Sequence, residues 1–157
     1  RIMGLDMHLS KKTYVQNWDF HKPEEKHTIS IKKGGNARKD IKPKRVSYIV
    51  EEVMYWRKAN AIHSWFVENC QNGVDECQEA FVSEEQLEEL ASLCEEVVVT
   101  KNTSLLETQG GFFFGGTDYD EYYFEECKNT AKQLRKLLAE ETPEGCHKGS
   151  FYYQSSW

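Results

Sequence analysis

An indole, an amide and an imidazole stand close together at Trp56, Asn60 and His63. They fall in a stretch, residues 49–69, that reads as the strongest helix of the chain. Tyr55, Ala59, Ile62 and Phe66 recur there at helical spacing and would form a core stripe. With that stripe set at 0° and ~100° per residue, His63 projects near ~80°, Trp56 near ~100° and Asn60 near ~140°. The three are then neighbours on the flank of the stripe. They could line a cleft in which the indole stacks on a ring and the polar groups read its edge. Arg57, near ~200°, would reach an anion if the cleft wraps that far. The competing reading is purely structural, with Trp56 half-buried under a sheet and His63 satisfied inside the core.

A second constellation runs from Gly110 to Tyr123. Phe112, Phe113 and Phe114 lie between two glycine pairs, and Asp118, Tyr119, Asp120, Glu121 and Tyr122 follow. Glycines ahead of a helix N-terminus often cradle phosphate, because free N–H groups point at the anion. Here the sequence fits neither GxxxxGK[ST] nor GxGxxG, it supplies no Lys, and its carboxylates would repel a phosphate. Acids in a first helical turn are ordinary complements of the helix dipole. Asp118 and Asp120 could hold Mg²⁺ or Ca²⁺ through oxygen, but two carboxylates without EF-hand spacing are too few, and no metal site is expected. Phe113, Tyr119 and Tyr122 remain as stacking and hydroxyl groups, with Asp118 beside them, for the ligand that Trp56 and His63 would meet.

Activated nucleophiles are scarce. The motifs GxSxG, HExxH and H-x-E…PCxxC are all absent. A thiol–imidazole pair of His63 with Cys70 or Cys77 is the one cysteine chemistry to consider, and Cys77, in an exposed-looking turn, is the thiol to test. The five cysteines include no CxxC and are odd in number, so free thiols are expected rather than zinc ligands. Without a cofactor fingerprint, the chain reads as a binding protein more than as an enzyme, and no cofactor is expected.

These groups depend on elements elsewhere in the chain. Leu5, Met7 and Leu9 alternate with Asp6 and His8, the pattern of a half-buried strand, and residues 13–15 extend it or begin a neighbour. Residues 27–31 are β-rich and alternating, a turn follows at 33–36, and Val46 and Tyr48 close this sheet region. Residues 80–82 form a short strand. Ser83 with Gln86 makes a capping box that opens a second helix with Leu87, Leu90, Ala91 and Cys94 on one face. The β-branched run at 97–100 should leave that helix for a turn into strand. A third helix, starting at Thr117 or Asp118, buries Tyr123, Cys127, Ala131, Leu134 and Leu138, and residues 150–157 form a final strand. The expected architecture is one α+β domain over residues 1–157, with N-terminal antiparallel strands plus three main helices packed on a small mixed sheet.

Composition bounds this picture. A chain of 157 residues fits one domain, and 13% aromatic residues argue against disorder. There is no apolar run of ~18 residues to cross a membrane and no leader pattern at the start. Met3 is the expected natural start and the cytoplasm the expected setting. The net charge of −6 is unevenly spread: residues 1–45 hold 12 Lys and Arg against 5 Asp and Glu, the remainder 8 against 21. Such asymmetry can mark a nucleic-acid arm. The scattered basic pairs read equally well as a lysine-studded sheet edge that discourages aggregation, and nucleic acid is not expected as a partner.

Several blocks resemble a family of uncharacterised proteins of tailed bacteriophages and their prophages. They are MGLDM at 3–7, EVMYWRKANAIH at 52–63, GVD at 73–75, GFFFG at 111–115, DYDEYYF at 118–124 and FYYQSSW at 151–157. The resemblance spans nearly the whole chain. It implies a viral accessory protein working in a bacterial host's cytoplasm, and brings no catalytic residues with it. The leading expectation is a non-enzymatic binding module for a small aromatic or nucleotide-like ligand or a host factor, counteracting a host process, with a site formed by Trp56, Arg57, Asn60, His63, Phe113, Asp118, Tyr119 and Tyr122. The alternatives are a metal-dependent nucleotide hydrolase using Asp118, Asp120 and His63, and an acidic inhibitor of a host protein.

Overall fold

The computed structural model of the chain describes residues 4–111 and 114–157. Its main sheet has four strands in the order β4-β1-β6-β5, with β1 at Asp6–Tyr14, β4 at Tyr48–Arg57, β5 at Ala80–Val82 and β6 at Ser150–Ser156. Every pairing is antiparallel, so the α+β class holds while the sheet is antiparallel throughout instead of mixed. Two short strands, β2 (Lys32–Lys33) and β3 (Asn36–Ala37), form a separate hairpin.

Period-two alternation sets the faces of the main sheet. Met7 lies opposite Trp56 and Ser155, and Leu9 opposite Met54 and Tyr153. All six are buried, while His8 and Tyr55 between them stay partly or largely exposed. A bulge between Leu9 and Ser10 ends this regular register. Beyond it the residues of β1 and β4 are no longer buried, and past Lys12, the last β1 residue paired with β6, the two strands continue as a two-stranded ribbon.

Three helices cover the buried face: α1 (Asn60–Cys70), α2 (Glu84–Thr100) and α3 (Glu121–Leu138). Their inward residues, among them Ile62 and Phe66, Leu87 and Leu90, and Cys127 and Leu134, join the strand residues in one core. Phe66 lies flat on Tyr153, ring centroids 3.9 Å apart and 9° from parallel, a pairing that adds to the ~1.5–3 kcal/mol from burying each ring. The capping box on α2 forms as expected, with Gln86 N–H donating to Ser83 Oγ (3.1 Å) and Ser83 N–H to Gln86 Oε1 (2.9 Å).

Four expectations change. Residues 49–69 are not one helix: β4 runs to Arg57, Lys58 takes a left-handed φ of 54°, and α1 starts only at Asn60. Tyr55 and Ala59 match a helical stripe by coincidence, since Met54 and Trp56 point inward and Tyr55 outward in a strand. Residues 27–31 form no strand, and only two residues on each side of Gly34 and Gly35 pair up. Helix α2 keeps residues 97–100, because burying Val97 outweighs the weak propensity of β-branched residues. Helix α3 begins later than expected, behind Asp120, whose carboxylate accepts from Tyr123 N–H (3.2 Å), and its last buried residue is Leu137 with Leu138 only partly covered. No described helix is long and apolar enough to cross a membrane.

Candidate functional site

Where β4 hands over to α1, the chain lines a cleft of about 330 Å³ that the connection before α3 and the first turns of α3 close from the other side. Its basic wall is Arg57 and Lys58. The Lys58 N–H is anchored on Leu5 O (2.8 Å), and its side chain runs between two glycines. A Cβ on Gly4 would come within 2.8 Å of Lys58 Cε, and one on Gly115 within 3.2 Å of Lys58 Cβ. Gly115 also has φ +81°, a conformation side chains rarely adopt. Arg57 is held from beneath by Asp6, to which its Nη1 donates at 2.7 Å. Tyr55 donates its hydroxyl to the same carboxylate.

The first turn of α1 opens into this cleft. Ala59 caps the helix without a side-chain hydrogen bond, and the first helical bond is from His63 N–H to Ala59 O (2.9 Å). The N–H groups of Asn60, Ala61 and Ile62, all cleft-lining residues, therefore have no helical acceptor. They present the positive end of the helix dipole next to Lys58 and Arg57.

The opposite wall carries Asp118, Asp120 and Glu126. Asp120 is committed to capping α3. Burial raises the Glu126 carboxyl above its ordinary value. Tyr122, 86% exposed, stands at the rim with its ring free. Beneath it the hydroxyl of buried Tyr123 donates to Leu106 O (2.5 Å).

The structure divides the expected site residues. Arg57, Asn60, Asp118 and Tyr122 line the cleft together. Asn60 does so as a clamp: its Nδ2 donates to Phe114 O (3.0 Å) and Gly116 O (2.8 Å), and its Oδ1 accepts from Gln109 N–H (3.0 Å). With both ends of the amide engaged and the residue buried, it shapes the cleft and reads no ligand. Tyr119 lies outside the cleft, its hydroxyl accepting from Thr108 N–H (3.2 Å) and its ring edge-on to Tyr123 at 4.9 Å. Phe113 lies outside the described residues.

Trp56 and His63 belong to the core. Trp56, 4% exposed, donates its indole N–H to Thr130 Oγ1 (2.9 Å). His63, 0% exposed, has both nitrogens engaged: Nδ1 with the Tyr153 hydroxyl (2.7 Å) and Nε2 with Asp75 Oδ2 (3.0 Å). A carboxylate only accepts, so Nε2 carries the proton and donates to Asp75. In the neutral imidazole Nδ1 then accepts from Tyr153 O–H. Burial pushes the Tyr153 phenol well up, which keeps it a donor. This arrangement leaves His63 nothing with which to activate a thiol, and burial, aided by Glu89, raises the Cys70 thiol to about 11. The Cys70 and Cys77 pairings are therefore not made. Nor is His63 brought to Asp118 and Asp120, as a hydrolase built on those three would need. Among the described residues no three His, Cys, Asp or Glu side chains gather as metal ligands.

Lys58, Glu126 and the open first turn of α1 are the cleft groups that sequence reasoning missed. Lys58 was hidden by the single-helix reading of residues 49–69. Glu126 sits one helical turn beyond Tyr122, so the i, i+4 spacing from the exposed tyrosine could have found it. No family model matches the chain, and no curated protein or solved structure matches it either.

Proposed function

We propose that the chain is a non-enzymatic binding module whose cleft takes a small aromatic, nucleotide-like ligand. In this reading the anionic group of the ligand meets Lys58, Arg57 and the uncapped N–H groups of α1, and its ring stacks against Tyr122. The acidic wall then accepts from hydroxyl or amino groups of the same ligand. The observation that carries the reading is the joining of two cations and an uncapped helix start with an open aromatic ring in one cavity of about 330 Å³, a size in the range of small-molecule sites. The resemblance to tailed-bacteriophage proteins supports placing that activity in an accessory protein that counteracts a host process in the bacterial cytoplasm.

A thermal-shift screen with nucleotides and nucleosides tests this. A ligand at 100 times its Kd adds about 2.7 kcal/mol of stability, and the matching rise in Tm is lost in Lys58→Ala and Tyr122→Ala. Recovery of the ligand unchanged after incubation fits a binder. Conversion of the ligand, with or without added divalent metal, would replace the reading with an enzyme. A flat screen combined with salt-sensitive capture of one host protein would replace it with a protein–protein inhibitor.

A further inference from the structure

Residues 16–47, which close the β1–β4 ribbon, contain no buried residue. Every hydrogen bond and ion pair these residues make, among the described residues, is to another residue of 14–47. Asn17 holds His27 through two bonds (2.7 and 2.8 Å), Arg38 grips Asp40, and Lys44 pairs with Asp19 at 3.0 Å. The segment is an arm stapled to itself and not packed on the core. A connection of this length within a compact domain usually has a use of its own.

Two features of the arm point to the same use. It holds nine Lys and Arg against four Asp and Glu, leaving it at +5 and the rest of the chain at −11 within the total of −6. The side chains of Lys22, Lys26, Lys32, Lys33, Lys39 and Lys42 have no carboxylate within ion-pair distance among the described residues. The arm also carries an open aromatic run. Phe20, 80% exposed, stacks on Trp18 with planes 12° apart. The Trp18 indole donates to the Tyr14 hydroxyl (3.0 Å), and Tyr14 meets exposed Tyr48 edge-on at 5.3 Å.

We infer that this arm binds single-stranded nucleic acid. Unpaired bases stack on Phe20 and Trp18 while the free lysines neutralise phosphates, the combination used by sequence-tolerant single-strand binders. Of the basic pairs that read as a sheet edge in the sequence, Lys11 and Lys12 do lie on β1, ion-paired with Glu140 and Glu79, while the pairs at 32–33, 38–39 and 44–45 fall on the arm. An acidic protein surface would satisfy the charge alone. The exposed ring face beside that charge selects a partner with flat rings of its own.

The test is fluorescence anisotropy with a labelled oligothymidylate of about 16 nucleotides, the corresponding RNA strand and a duplex of equal length. The single strands should bind more tightly than the duplex, with affinity falling on a log–log salt plot by ~0.7 per phosphate neutralised. Phe20→Ala should weaken binding about ten-fold. The double variant Lys22→Glu with Lys26→Glu should flatten the salt slope, and Val99→Ser, at an exposed position of α2, should bind as the wild type does. All these side chains are exposed, and an unchanged Tm checks the fold. No binding at low salt, equal binding of the duplex, or a Phe20→Ala variant that binds like the wild type would overturn the inference. So would a dimer, seen by sedimentation without nucleic acid, that the lysine reversals dissociate, since the arm's partner would then be a second copy's acidic surface.

Discussion

His63 shows how much a single side chain's role depends on what its two nitrogens touch. Held between Asp75 and Tyr153, it joins the loop before β5, the first turns of α1 and the centre of β6. Replacing it by Ala leaves the buried Tyr153 hydroxyl without its acceptor, removes one of the Asp75 carboxylate's donors and opens a cavity, which should cost about 3 kcal/mol or more in chemical denaturation. A variant as stable as the wild type would show that the relay contributes nothing to the fold. Trp56→Ala belongs to the same class, a core deletion whose effect on ligand binding would follow from unfolding. Glu126 gives the opposite case. Its carboxyl is raised by burial, so the folded chain keeps that proton to a higher pH than the unfolded chain does. Stability therefore falls as pH rises from the ordinary value of 4.5 through the raised one. Glu126→Gln should raise Tm at neutral pH, with the gain shrinking in acid where the wild-type side chain is also neutral. A gain that is unchanged or larger in acid would contradict this origin.

At the scale of elements, the cleft depends on a junction that the sequence disguises. Arg57, Lys58 and Ala59 change a period-two strand into a period-3.6 helix through one left-handed residue, Lys58. Nothing local announces this turn, because it is fixed by pairing with β1 some fifty residues away and by the Lys58 N–H on Leu5 O. The capping box at Ser83 and Gln86, by contrast, is written in four consecutive residues and is legible at once. β1 is legible for the same reason, since Leu5, Met7 and Leu9 carry its alternation without outside help. Gly115 is the element-scale test. An added methyl meets both a φ of +81° and the Lys58 stem. Gly115→Ala should therefore destabilise the chain by about 1 kcal/mol or more and weaken ligand binding more than the exposed neighbour Gly116→Ala, as calorimetric titration of the two variants with the same nucleotide would read. Equal affinities would mean that Lys58 is not held in place from this side.

Over the whole molecule, charge and burial are divided along the same line. Seven of the aromatic residues that made the sequence look rich in binding groups are buried in one core, where Trp56, Phe66 and Tyr153 pack together. The two most exposed, Tyr122 at the cleft and Phe20 on the arm, lie on opposite sides of the charge division. Which aromatic residue is buried and which is offered could not be read from residue type, because it depends on which strands pair and in what register. The fold class, by contrast, followed from patterns confined to single elements. The most direct test of the cleft is a ¹⁵N-resolved NMR titration with adenosine monophosphate. Binding as proposed moves the amide resonances of Asn60, Ala61 and Ile62 together with those around Tyr122 and Glu126, and Lys58→Ala abolishes the movement. Shifts confined to the arm, or to the open face of the sheet, with residues 58–62 unmoved would contradict it.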